Sequence, residues 1–269
     1  DILKKYPHLL VVSEKDSGYP EAFRKGLALA QGKYIVQCAV SDCLAHTEWL
    51  EKCADVLDKN PDISLIWGFP ERLSEQGIPG GISYSQFHHT LAPQKDDFFS
   101  YWLITGFFFP EGNLFVRKEV IDECYPDYKG ANTTILDWLE FSFNFNKNGY
   151  LSYHLPVVAN YGRTHGHQMG EHLEKTGKIW KMYNNYLRKI ATYRLKVMLG
   201  FVTPTFRTAQ GQEVPLTFNR SAFSNRYFLH LAYKFSHINP QYLSPEKYKR
   251  YALKRARYFI QKFTSQHEK

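Results

Sequence analysis

EKDSGYPEAFRKGLALAQGKYIVQCAVSDCL, residues Glu14 to Leu44, decides the fold class. It reads as loop, helix, strand, and an acidic residue at the strand's exit. Pro20 suits a first helical turn, where its missing N–H would be unpaired anyway. Phe23, Leu27 and Ala30 fall at i, i+4 and i+7, one face of a helix. Gly32 can take the left-handed conformation that ends it. Tyr34 to Val40 is mostly apolar, as in a strand covered on both faces. Ser41-Asp42 follows at the strand's carboxyl end, where open α/β sheets bind ligands.

The α/β pattern continues downstream. Thr47 can cap a helix whose apolar residues are Trp49, Leu50, Cys53 and Val56. Asn60-Pro61-Asp62 ends it, and Ile63 to Gly68 is the next strand. Residues 70–97 show glycines and prolines but no period, and a loop that long inside a domain is usually functional or disordered. Gly112 to Arg117 reads as a short strand leading into the helix Lys118 to Cys124. Leu136 to Asn146 is a helix closed by Asn148-Gly149, and Tyr150 to Tyr161 is extended.

Charge divides the chain. Residues 1–170 carry a net −6 and residues 171–269 a net +14. Such asymmetry places a boundary near Gly170 and points to two regions with different partners. Beyond it, Leu173, Trp180, Tyr183, Leu187, Ile190, Arg194 and Val197 mark one face of a long basic helix, weakened at Gly177. A second basic helix starts at Pro245. Residues 203–215 between them read as a loop or hairpin. The +14 region carries no recognisable nucleic-acid motif, so an anionic membrane surface is its expected partner. No apolar run approaches the roughly 20 residues of a membrane span. With 43% hydrophobic residues, including 20 Phe and 19 Tyr, the chain can bury a core. Its four cysteines have no C-x-x-C spacing. Cys38 and Cys53 fall on apolar faces as reduced core residues, which favours a reducing, cytoplasmic setting.

The block around Asp42 resembles the family-2 glycosyltransferases of the GT-A fold. That family shows an acidic D-x-G loop, then A-x-x-K-G, A-x-G-x-Y, a strand and S-D-D. Here these are Asp16-Ser17-Gly18, Ala22 to Gly26, Ala30 to Tyr34 and Ser41-Asp42-Cys43. The resemblance runs from about Leu9 to Gln168 and departs at Cys43, where the family has a second aspartate. It implies a partial GT-A (Rossmann-like) nucleotide-sugar-binding domain over residues 1–170, followed by a basic, mainly helical region over 171–269. Asp1-Ile2-Leu3 leads through an amphipathic tail into the Leu9–Val12 strand, whereas the family has a strand, a helix and a strand before this point, so an N-terminally incomplete domain is expected. A mature protein cut after a leader is the alternative.

The resemblance implies an inverting transferase that moves a sugar from a nucleoside-diphosphate donor to an acceptor hydroxyl, in glycan or polysaccharide synthesis with a glycan or lipid-linked acceptor. Such chemistry needs a base for the acceptor proton and positive charge for the departing diphosphate. Asp42 matches the family's ribose- and metal-side aspartate, and Asp16 an acidic residue near the nucleotide. Lys25 could contact phosphate. Asp137 matches the candidate general base, with Glu140 one turn later in reserve. Glu111 and Asn113, in the G-N-x-x-x-R strand, are candidates for contacting donor or acceptor. Arg163 lies where R-x-H occurs near the diphosphate, and His165 or His167 could ligate a metal. Each has a plainer reading: Asp42 and Asp137 as caps, Asp16 as a turn former, Lys25 as a solvated charge, and the histidines as surface residues. The implied cofactor is a divalent cation, Mn²⁺ or Mg²⁺. Cys43 weakens that implication, because both ions favour carboxylates over thiolates. A second hypothesis is a catalytically impaired relative that binds membrane or nucleic acid through its basic region.

Overall fold

A computed structural model describes residues 3–39, 42–82, 98–110, 112–127, 136–163 and 176–216, together with Phe223 and Tyr227. Its centre is a six-stranded mixed sheet. The strands are β1 (Tyr34–Val36), β2 (Asp42–Leu44), β3 (Ile63–Leu73), β4 (Pro79–Ile82), β5 (Phe115–Arg117) and β6 (Leu151–Arg163). They lie in the order β1-β5-β3-β6-β2, with β4 also paired to β3. β3 and β6 run parallel, from Ile63 opposite Leu151 to Leu73 opposite Arg163, and the other pairings are antiparallel.

Alternation along the strands sorts the core into two layers. Leu65 and Trp67 enter one cluster, while Ile66 between them enters the other, as the period of two requires. The smaller cluster lies beneath helix α2 (Trp49–Lys59), whose Trp49, Cys53 and Leu57 meet Ile66, Phe115 and Ala159. The larger cluster packs α1 (Tyr19–Leu29), α3 (Phe98–Thr105), α4 (Lys118–Cys124), α5 (Leu136–Lys147) and α6 (Lys178–Met198) on the opposite face. Arg117 ends β5 by donating to the carbonyls of Ile63 at 2.8 Å and Leu57 at 2.7 Å, which ties that strand to α2. The α/β expectation holds, as sheet plus covering helices on both faces.

α6 is fixed to this core. Tyr186 donates to the carbonyl of Phe107 at 2.6 Å and accepts from Trp102 at 3.1 Å. Arg194 donates to the carbonyl of Leu103 at 2.9 Å. Ile190 and Val197 are buried, each contributing roughly 1.5–3 kcal/mol by leaving water. A hairpin of β7 (Thr205–Arg207) and β8 (Glu213–Pro215) follows, as one of the two readings of residues 203–215.

Several local expectations change. β1 stops at Val36, because its partner β5 is itself three residues long. It is an edge strand among the described residues and is only partly buried. Leu9 to Val12 joins no ladder, and those side chains are 47–75% exposed. α1 ends before Gly32: the N–H of Ala30 bonds to the carbonyls of Gly26 and Leu27, and Gly32 is not left-handed. Glu48 rather than Thr47 occupies the cap of α2, without a side-chain cap bond. Residues 70–73 and 79–82 are strand rather than loop, because β3 continues to Leu73 and β4 folds back on it through a turn at 74–78, while residues 83–97 lie outside the described residues. Gly177 starts α6 in a left-handed conformation instead of weakening it. The buried stripe of α6 is Met182, Tyr186, Ile190 and Val197, while Trp180 faces solvent. Cys53 is a core residue but Cys38 is exposed, and no cysteine is in a disulfide. Leu173 and the helix expected from Pro245 lie outside the described residues.

Candidate functional site

Asp42 opens β2, after a turn in which its N–H bonds to the carbonyl of Ala39 at 2.9 Å. It sits directly opposite Gly162 on β6. Opposed residues share a face of the sheet, and so do residues two apart. Asp42, Leu44, Gly162 and Asn160 therefore share one face, and Cys43, Tyr161 and Arg163 share the other. Burial agrees: Asp42 and Leu44 are half-buried and Cys43 is exposed.

A third strand of chain closes over Asp42. Gly112 has φ +88°, and a Cβ there would stand 2.7 Å from Asp42 Oδ2 and 3.1 Å from Asn160 Nδ2. Only a residue without a side chain fits that position. A Cβ on Gly162 would meet Asp42 Oδ1 at 3.5 Å. The neighbouring Asn113 is fully buried and donates to the carbonyl of Gly68 at 2.8 Å. Its side chain pins the Gly112 turn to β3, so it supports the site from behind.

Asp16 lies in the loop before α1. Its carboxylate accepts the N–H of Gly18 at 2.9 Å, the turn-forming arrangement. Ser17 donates to Glu21 through its N–H at 2.8 Å and its hydroxyl at 2.6 Å. That hydroxyl, followed by Lys25, holds the Glu21 carboxyl down at about 2. Lys25 is ion-paired with Glu14 at 2.8 Å and Glu21 at 3.0 Å. Those partners, Glu14 first, raise its pKa. Asp16 and Lys25 line one cleft of about 460 Å³ with Leu10, Val12, Glu14 and Leu29. Tyr19 at the start of α1 accepts a hydrogen bond from Gln37, just past β1, which holds this loop at the carboxyl end of the strand.

The acidic helix start is a third grouping. Asp137 is completely buried, and the Tyr125 hydroxyl donates to its Oδ2 at 3.1 Å. Phe23 packs against both Tyr125 and Trp138, with ring centroids 4.6 and 5.5 Å apart. Glu140 faces outward from α5 and pairs with Lys189 of α6 at 2.7 Å. Arg163, exposed at the end of β6, lies on the Cys43 face rather than the Asp42 face. Glu111, His165 and His167 lie outside the described residues.

The fit to a divalent cation can be tested on these residues. Asp42 supplies one carboxylate, and alternation turns Cys43 away from it. Among the described residues no group of three or more His, Cys, Asp and Glu side chains converges. The described residues therefore do not by themselves make a divalent-cation site. Asn160 and Gly162 were not singled out in the sequence. Their signal was there, since two residues two apart on an extended segment must share a face.

An acidic residue near the strand ends of an α/β sheet is the kind of position at which such sheets bind ligands. Residues 1–124 match the family model described as Glycosyl transferase family 2. The family expectation thus holds over the stretch that carries α1, Asp42, α2, β3 and α4. No curated protein matches the chain. Similar solved structures include S. aureus TarS 1–349 in complex with UDP-GlcNAc, at 11% identity over 91% of this chain and 63% of that one, with a TM-score of 0.45. S. aureus TarS is similar at 13% identity over 91% of this chain and 38% of that one, with a TM-score of 0.46. S. aureus TarS 1–349 alone is similar at 15% identity over 91% and 62%, with a TM-score of 0.46. This chain therefore spans less than two thirds of each of those chains.

Proposed function

We propose that this protein is a nucleotide-sugar-dependent glycosyltransferase that moves a sugar to an acceptor hydroxyl with inversion. The observation that carries the reading is Asp42 at the start of β2, within the family-matched segment, where Gly112 approaches its carboxylate as closely as only glycine can. In this reading the acceptor oxygen attacks the anomeric carbon from the side opposite the diphosphate, and that C–O bond breaks as the new one forms. Asp137 takes the acceptor proton, with the Tyr125 hydroxyl orienting its carboxyl. The step requires the acceptor to reach a group that this structure holds in the interior. Arg163, on the opposite face of the sheet from Asp42, is not proposed as the partner of the departing diphosphate. A divalent cation, if one takes part, needs ligands beyond the described residues.

The acceptor is proposed to be a glycan or a lipid-linked glycan, met at an anionic membrane surface. α6 carries six lysines and arginines and no acidic residue. Leu195, Leu199 and Phe201 at its end are 56–77% exposed. Apolar side chains beside cations suit an anionic bilayer. No helix among the described residues is long and apolar enough to cross a membrane.

The test is release of nucleoside diphosphate from a panel of uridine, guanosine and thymidine diphosphate sugars. Release that depends on both protein and acceptor, and is lost in Asp42→Ala, is the expected result. A folded protein that neither binds nor turns over any donor removes the reading and leaves the impaired-relative hypothesis.

A further inference from the structure

We infer that Asn160 is a ligand-contacting residue of the Asp42 site, presenting a neutral carboxamide beside the Asp42 carboxylate to a pair of neighbouring hydroxyls. The inference rests on the reading of Asp42 as a donor-side residue and names its missing neighbour. Counting along the chain assigns that neighbour to position 43. The sheet does not: Cys43 pairs with Tyr161 on the opposite face, while Asn160 lies diagonally across from Asp42 on the same face.

Two further observations support it. The Asn160 amide and the Asp42 carboxylate both come within 3.1 Å of one point, the place a Gly112 side chain would fill. Asn160 is 2% exposed, and its Oδ1 accepts no hydrogen bond from the described residues. A buried carbonyl oxygen left so is costly unless water or a ligand satisfies it.

The chemistry of the pair selects the ligand. One carboxylate and one amide give a single negative charge, weak for Mn²⁺ or Mg²⁺, which favour several oxygen ligands with more charge. A pair of adjacent hydroxyls offers two O–H donors and free lone pairs. The carboxylate accepts the first, and the amide N–H and C=O complement the second. Such hydroxyls occur on the ribose of a nucleotide and on the transferred sugar.

Calorimetric titration with UDP, GDP, their 2′,3′-dideoxy counterparts and the corresponding diphosphate sugars tests this on wild type and Asn160→Ala. The expected loss is about fivefold or more in Kd, the equivalent of one hydrogen bond of about 1 kcal/mol. If ribose is the source, the variant loses affinity for UDP or GDP and distinguishes the dideoxy forms less sharply. If the transferred sugar is the source, affinity for the nucleotide stays and affinity for the diphosphate sugar falls. Unchanged affinity for both, in a variant that melts like wild type, overturns the inference. A second arm needs no nucleotide. Asn160→Asp sets two carboxylates side by side and should strengthen binding of Mn²⁺ alone, whereas Cys43→Asp should not. The reverse pattern overturns the assignment. If wild type binds no nucleotide, the donor reading fails, and the Mn²⁺ arm still decides which residue neighbours Asp42.

Discussion

Replacing Gly112 by alanine separates backbone strain from damage to the site. At φ +88° an L-residue is held in the left-handed region, at roughly 1–2 kcal/mol. The stiffer unfolded chain returns about 0.4–1 kcal/mol, leaving a net loss near 1 kcal/mol. Gly77 and Gly211 supply the control. They have φ +82° and +76°, and an added Cβ at either meets nothing within 4 Å. Alanine there should show the net backbone loss alone, with donor binding intact. At Gly112 the new Cβ would lie 2.7 Å from Asp42 Oδ2, so the carboxylate or the turn must move. An off-rotamer side chain adds about 0.5–1.5 kcal/mol, which takes the expected total to about 1.5–2.5 kcal/mol. The functional effect should be larger, because a misplacement of about 1 Å can cost about 10²-fold in rate. Urea denaturation and donor-dependent nucleoside diphosphate release measure the two quantities on one preparation. If Gly112→Ala keeps wild-type donor affinity and turnover, Asp42 is not in the ligand site. If the two control variants lose donor binding as well, the effect is general and not a matter of contact with Asp42.

Asp137→Asn should lower turnover by roughly 10²-fold or more, the scale of general-base catalysis, with donor affinity nearly unchanged. Glu140→Gln, which breaks only the pair with Lys189, should do much less, and the opposite ranking in single-turnover assays would move the base to Glu140. Cys53 and Cys124 are pushed up to about 12 by burial, with Glu123 adding at Cys124. Iodoacetamide at pH 8 should therefore label Cys43 first and Cys38 more slowly, since partial desolvation of its sulfur, though the residue is exposed, and then the Asp42 charge raise the Cys38 thiol. Labelling of Cys53 in the native protein, seen by peptide mass spectrometry, would contradict that packing. The same shifts have a definite sign: a raised thiol pKa stabilises the fold below the ordinary value of 9.0, and that contribution is lost as pH rises toward about 12. The protein should sediment with anionic vesicles and be released by high salt, and Leu199→Asp with Phe201→Asp should weaken that binding. Equal binding to neutral vesicles, or none, would remove the membrane proposal.

Much of the fold was legible because the elements obey simple periods. The 3.6-residue spacing of α1 and α2 and the apolar run at Ile63 survive into the structure nearly unchanged. What failed were features that depend on a partner. β1 takes its length from β5, and Leu9 to Val12, apolar enough for a strand, joins no ladder. The expected stripe of α6 holds at Tyr183, Leu187, Ile190, Arg194 and Val197, which pack or bond against the core, but not at Trp180, which turns outward while Met182 and Tyr186 are buried. Large aromatic residues signal burial somewhere, but a helix has to choose one face, and its neighbours choose for it.

The candidate site divides on the same line. A motif counts residues along the chain, so Asp42-Cys43 reads as an acid and its replaced twin. A strand alternates its faces, so those two side chains point to opposite faces of the sheet while β2 keeps its register with β6. The neighbour of Asp42 has to come from across the ladder, two residues along from Gly162, and the chain puts Asn160 there. Gly162 lies beside it, and Gly112 makes the close approach that only glycine allows. The need for glycine at position 112 cannot be read from spacing, because it arises only once three separate segments have come together. The loss of the second carboxylate at position 43 therefore says less about the charge of this site than Asn160 does. An aspartate at 160 would restore a two-carboxylate centre, and one at 43 would add its charge to the opposite face.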